Sequence, residues 1–222
     1  MFVFKGTSSK DMGVVIEEEM NFIAKASQKT VTFSIDGRNG DVYKPIGYAD
    51  IERPIKIQIL DLSKIDDILA WLNGEGQFEY ENRKTMARFF TELSPNRLSS
   101  IRVADANFVR SPFWLKIGDA YGIVTESVTN EGSIFSQPLI RLEKGISASV
   151  DLTIAGVRFV YTFSDPYVEI DCEELNATYN GSSRNKQLQI GYEFPKLYPG
   201  TNSIYVNSGD CIIKLKRKDR WL

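Results

Sequence analysis

The sequence predicts a mainly β protein made of two β-sandwich-like domains, the first with one α-helix packed on its sheet. Three observations predict it. Short runs in which apolar and polar residues alternate, bounded by Gly, Asn, Asp or Pro, recur from end to end. A single stretch has helical periodicity. Between Ile123 and Ser133 periodicity fails and Thr125, Ser127, Thr129, Asn130 and Gly132 accumulate, which marks a linker and divides the chain into residues 1–130 and 131–222. A chain of 222 residues accommodates two domains of roughly 100 residues, each with enough apolar content for a packed core.

In the first domain, strands are expected over Met12–Glu18, Val31–Ile35, Pro54–Leu60, Gln77–Tyr80, Thr85–Leu93 and Ser99–Arg110. Ile55, Ile57 and Ile59 alternate with Lys56 and Gln58, the pattern of a strand covered on one face. Val31, Phe33 and Ile35 alternate with Thr32 and Ser34 in the same way and read as half-buried. The helix is predicted over Ser63–Asn73, with Ser63 as N-cap, Asp66 and Asp67 in the first turn, and Asn73-Gly74 as its stop. Ile65, Ile68, Leu69 and Leu72 form its apolar stripe, with Trp71 at the margin. Asp66-Asp67 is helix-start charge, not a catalytic carboxylate pair.

The second domain is expected to hold strands near Ile134–Leu142, Ala148–Ile154, Val157–Phe163, Tyr167–Asp171, Leu188–Ile190, Ser203–Asn207 and Cys211–Lys218, with Ala155-Gly156 as a tight hairpin turn. Many short strands without a helix argue a sandwich.

Composition excludes much chemistry. Histidine is absent, so Ser-His-Asp triads, Cys-His dyads and His-containing metal sites cannot be built within this chain. No enzyme activity, cofactor or metal is expected. Cys172 and Cys211 continue apolar rows and read as core side chains, not a disulfide. A formal net charge of −2 argues against nucleic acid or an anionic membrane as main partner, because phosphate binding needs a concentrated positive field. No apolar run reaches a membrane span of about 18 residues and Met1-Phe2-Val3-Phe4 is no signal peptide, so the expectation is a soluble protein made in a cytoplasm.

Three constellations remain. Asp36–Asp41, DGRNGD, lacks both the P-loop ending and the EF-hand acidic spacing and reads as a structural turn. Arg38 at its tip is a planar, always-charged donor placed to pair with a carboxylate of a neighbouring subunit. Lys214, Lys216, Arg217, Lys218 and Arg220 form the one basic run, which alternation makes a solvated strand face and not a DNA track. Tyr161, Tyr167, Tyr179, Tyr192, Tyr198 and Tyr205 raise sugar stacking. Tyr167 and Tyr198 lie at loop edges, and the tyrosines are spread over several elements without His or an acidic cluster. The second domain is therefore expected to be a protein-facing platform, with Tyr167 and Tyr198 as its contact residues.

Order and spacing carry a resemblance. An opening strand with Phe2 and Phe4, the Gly37–Gly40 turn, a helix ending Trp71-Leu72-Asn73-Gly74, the run Phe135-Ser136-Gln137-Pro138 with Ile140, and the segment Phe194-Pro195-Lys196-Leu197-Tyr198-Pro199-Gly200 together resemble the distal tail proteins of siphophages. The resemblance implies a ring of six subunits at the virion tail tip. Its first domain would form the ring and its second, a galectin- or carbohydrate-module-like sandwich, would project outward. Such a hub joins the tail tube and tape-measure protein to the tail-associated lysin or fibre protein, and in many phages carries receptor-binding proteins. The chain is short for that family and lacks its large insertions. The alternative is a carbohydrate-binding accessory module for host cell-wall polysaccharide.

Overall fold

In a computed structural model, residues 1–17, 22–90, 94–96, 103–191 and 193–222 are described. The chain divides into two compact units, Met1–Trp114 with Leu222, and Leu115–Trp221. The expected strand ends at Glu18, Leu93 and Ser99 lie outside the described residues.

The first unit contains β1 (Val3–Phe4), β2 (Thr7–Ser8), β3 (Val14–Ile16), β4 (Gln28–Phe33), β5 (Val42–Tyr48), β6 (Ile51–Ile59), α1 (Ile65–Trp71), β7 (Gly74–Tyr80), β8 (Arg83–Phe89), β9 (Ser94–Asn96) and β10 (Val103–Arg110). Its main sheet runs β2-β1-β7-β8-β10-β6-β3, with β9 on β10. Ile55, Ile57 and Ile59 are buried beneath it as the alternation requires. The core is aromatic. Phe78 packs against Phe2, Phe22 and Phe108 with ring centroids 5.2, 4.9 and 4.8 Å away, in the offset and tilted geometries that ring quadrupoles favour.

The helix is shorter than expected and rotated. Asp61, not Ser63, is the cap: its carboxylate accepts the Ser63 backbone N–H at 3.0 Å and the Ser63 hydroxyl at 2.7 Å, opening a 3₁₀ turn over Leu62–Lys64 that leads into α1. Ile68, Trp71 and Leu72 are buried while Leu69 is 37% exposed. Trp71 belongs to the core because its indole stacks on Phe2 at 5.4 Å and its N–H donates to the Phe4 carbonyl at 2.8 Å. That bond satisfies the one polar atom that would otherwise keep a tryptophan at the margin.

After β11 (Trp114–Lys116), the second unit holds β12 (Gly122–Val124), β13 (Ser127–Asn130), β14 (Leu139–Lys144), β15 (Ser149–Ile154), β16 (Val157–Thr162), β17 (Tyr167–Asp171), β18 (Asn176–Tyr179), β19 (Ser182–Ser183), β20 (Leu188–Ile190), β21 (Gly200–Ser208), β22 (Cys211–Lys216) and β23 (Arg220–Trp221). One sheet runs β12-β22-β14-β17-β18-β19, the other β13-β21-β15-β16-β20. Ile140, Leu142, Val168, Ile170, Ile213 and Leu215 from the first meet Val150, Leu152, Ile154, Phe159, Tyr161 and Ile204 from the second in one core, the sandwich arrangement. Ala155 and Gly156 form the tight turn between β15 and β16, both with positive φ (49° and 82°), as a type I′ hairpin needs. The aperiodic stretch at 123–133 lies within this unit and contributes β13, in which Ser127 and Thr129 face outward while Val128 and Asn130 are buried. Cys172 and Cys211 are free thiols, the first buried and the second half-buried.

Candidate functional site

The most distinctive surface of the first unit is a two-stranded arm. Among the described residues, strands β4 and β5 pair only with each other, and every residue of β4 is exposed. The sequence reading of Val31–Ile35 as a half-buried strand is therefore corrected: the alternation is real, but no second layer lies behind it among the described residues. Register pairs Val31 with Lys44 and Phe33 with Val42 on one face, and Thr32 with Tyr43 and Thr30 with Pro45 on the other. Val31, Phe33, Ile35 and Ile46 remain 37, 49, 52 and 59% exposed. A two-stranded ribbon of this kind has little stability of its own in water.

Its root is firmly held. Ala49 N–H donates to the Ser27 carbonyl at 2.9 Å, Tyr48 meets Phe113 edge-on at 5.2 Å, and Asp50 pairs with Arg88 of β8. Arg110, fully buried, donates to the carbonyls of Phe22 (3.2 Å) and Ala24 (2.7 Å) on the chain entering the arm, and to Ser111 (2.9 Å) and Pro112 (3.4 Å) beside it. Burial pulls its guanidinium down to about 10, still cationic at neutral pH. At the far end Gly37 and Gly40 take φ of 80° and 79°, a turn open to them without strain, and the Ser34 hydroxyl donates to Asp41 at 2.7 Å. Arg38 sits exposed on that turn.

In the second unit, the two segments that carried the family resemblance prove to be one construction. Ser136 and Leu197 exchange both backbone hydrogen bonds at 2.9 Å. Buried Asn202 closes the Tyr198-Pro199-Gly200 turn, accepting from Tyr198 N–H at 2.9 Å and donating to the Tyr198 and Gly200 carbonyls at 2.8 and 2.9 Å. Buried Asn130 donates to the carbonyls of Ile134 (3.1 Å) and Leu197 (2.8 Å). The motif residues thus satisfy backbone groups at the sandwich edge and perform no chemistry.

The structure separates the two predicted contact tyrosines. Tyr198 is 57% exposed and leans toward Phe135 at 6.5 Å. Tyr167 is half-buried and committed: Arg141 covers its ring at 3.7 Å, Tyr179 meets it edge-on at 4.8 Å, and its hydroxyl donates to Asn180 at 2.5 Å. The basic run is likewise not a bare solvated face. Lys214 pairs with Glu143 at 2.7 Å, Arg217 with Glu131 and Asp219 at 3.2 Å each, Lys218 with Asp171 at 3.2 Å, and Arg220 with Glu173 at 2.5 Å. Four of the five cations, all but Lys216, are thus paired with carboxylates, which weakens the field a DNA track would need.

Among the described residues no group of three or more acidic or cysteine side chains is placed to hold a metal ion, and no described helix is long and apolar enough to cross a membrane. No curated protein matches the sequence. Among solved structures, the chain matches the hub adsorption-apparatus protein Dit of phage SPP1 with a TM-score of 0.71 at 14% identity, covering 100% of this chain and 98% of that one. A chain of the phage P2 baseplate in its activated conformation follows with a TM-score of 0.43 at 9% identity, over 94% of this chain and 92% of that one. Residues 136–221 match the family model for the siphovirus-type tail component, C-terminal domain, a span that begins at the Ser136–Leu197 bridge and ends in β23. The second unit thus matches a siphovirus-type tail component domain over residues 136–221, and the chain as a whole shares the fold of the SPP1 Dit protein.

Proposed function

We propose that the protein is a structural hub whose first unit closes into a ring of six copies, and that the arm β4–β5 is the element each copy lays on its neighbour. The observation that carries this reading is the arm's uncovered apolar face, Val31, Phe33 and Ile46, on a ribbon too thin to be stable unaided. A second copy of the chain is the natural cover, because an identical surface repeated by rotation closes every arm. Arg38 at the tip pairs with a carboxylate of the adjacent subunit. The ring joins the tail tube and tape-measure protein to the tail-associated lysin or fibre protein, with receptor-binding proteins as further neighbours. On the second unit, exposed Tyr198 is the platform residue that meets such a neighbour, and Tyr167 supports that edge from within. No catalytic step is part of this role.

The test is native mass spectrometry of the full-length protein at high concentration, with and without Phe33→Glu. The wild type should give a closed oligomer, with six copies as its mass, and the variant monomer with an unchanged melting temperature. Oligomers that persist in the variant would remove the arm from the interface. Monomer only for the wild type, with no ring in intact tails, would remove the hub reading.

A further inference from the structure

The outer face of the five-stranded sheet carries a polar constellation that no motif announces. Register puts Thr153 of β15 directly between Arg158 of β16 and Tyr205 of β21. Ile154 and Ile204 point to the core, so by alternation these three share the solvent face. A bulge between Asp151 and Leu152 shifts the pairing with β21, and Asn207 reaches both Asp151 and Thr153, donating to each at 2.9 Å. Asp151 in turn accepts Arg158 through Nε at 3.0 and 3.1 Å and Nη2 at 2.5 Å. Arg158 is nonetheless 70% exposed at its side chain, while that of Asp151 is 11% exposed.

Each group has bonding capacity left over. Arg158 keeps its Nη1 donors, Asn207 its amide oxygen, and Thr153 its hydroxyl proton, since the bonds just named use none of these. They stand beside Tyr205, 59% exposed. A cross-strand Arg–Asp pair alone is ordinary sheet stabilisation, but that reading gives the neighbouring aromatic ring and the Asn207 oxygen nothing to do. Fixed donors and acceptors next to an aromatic face match a pyranose, which offers vicinal hydroxyls on one side and C–H groups on the other. The ion pair is internally neutral, so the cluster offers no net positive field to a phosphate or a uronic acid.

We propose that this face is a binding site for a neutral saccharide, with Tyr205 stacking on the sugar ring and Arg158, Asn207 and Thr153 bonding its hydroxyls. The site lies apart from Tyr167 and Tyr198 and does not depend on the ring. Asp151 is a positioning residue: Arg158 and Asn207 hold it ionised, its carboxyl drawn down to about 2, and it fixes both in return.

The full-length protein is applied to an array of neutral and anionic oligosaccharides, and the best neutral hit is titrated calorimetrically against wild type, Tyr205→Ala and Asn207→Ala. The expected result is saturable binding to a neutral glycan that weakens at least tenfold in both variants, with an unchanged melting temperature for Tyr205→Ala, whose side chain is exposed. Binding that survives Tyr205→Ala, preference for anionic glycans, or no binding to any glycan on the array would each overturn the proposal.

Discussion

Replacing Arg110 with alanine should cost about 3–5 kcal/mol and loosen the root of the arm. The guanidinium is fully buried and is neutralised by backbone carbonyls instead of a carboxylate, with its two short bonds to Ala24 (2.7 Å) and Ser111 (2.9 Å). Hydrogen bonds to a charged group contribute about 1.5–3 kcal/mol each, so these two give about 3–6 kcal/mol, and the longer contacts to Phe22 and Pro112 little more. Alanine also leaves a cavity beneath Trp114, whose ring lies 4.8 Å from the guanidinium carbon. Against a typical domain stability of about 5–15 kcal/mol this is a large loss. Arg110→Met should cost less, because it fills the volume and removes a desolvated charge while orphaning the same carbonyls. Urea unfolding followed by tryptophan fluorescence measures both, and hydrogen exchange at residues 24–28 reports the root. A loss below about 1 kcal/mol for Arg110→Ala, or a methionine variant weaker than the alanine one, would refute this account of the clamp.

In α1, Ile68→Ala should cost about 2–5 kcal/mol by opening a core cavity, and Leu69→Ala clearly less, since Ile68 is fully buried and Leu69 is not; equal losses in chemical denaturation would contradict the helix orientation. Asp219 is buried with neither oxygen accepting a hydrogen bond of ordinary geometry from a described residue, and desolvation raises its carboxyl above the usual 3.8 despite Arg217. An acid raised on folding contributes stability below its unfolded pKa that is lost as pH climbs through the folded value. Asp219→Asn should therefore gain stability relative to wild type as pH rises above the ordinary carboxylate range, and a pH-independent difference in urea melts would refute it.

What was legible in the sequence was which residues share a face, and what was not was whether anything covers that face. The rows Ile55-Ile57-Ile59 and Val31-Phe33-Ile35 have the same alternation, yet the first is buried on the main sheet and the second lies on a bare ribbon. Period-two patterning is a local property, and burial depends on the chain's return path. The same gap explains α1. Over two turns, Leu69 and Trp71 both border the stripe, and only the Phe4 carbonyl waiting for an indole N–H decides between them. The hairpin at Ala155-Gly156 was readable because its cause is local, a pair of positive φ angles. The compensation of the basic run was not, because Glu131, Glu143, Asp171 and Glu173 arrive from distant positions in the sequence.

The polar face around Thr153 shows the limit most sharply, and also where function is to be sought in a chain without catalytic motifs. Asp151, Arg158, Tyr205 and Asn207 are unremarkable at their positions in the sequence and become neighbours only through strand register and one bulge. By contrast, Ser136, Leu197 and Tyr198, from the segments that carried the resemblance, are tied together, with Asn202, by backbone-directed bonds that hold an edge. Bonds that satisfy backbone groups tie a residue to the fold, whatever the partner. Side chains with donors and acceptors left over on an exposed face are free to serve one. On this molecule only Tyr198 belongs to both sets, its backbone bonded to Asn202 and its ring exposed, so the sugar face and the arm can be mutated separately while the Asn202 turn and the Arg110 clamp keep the two units folded.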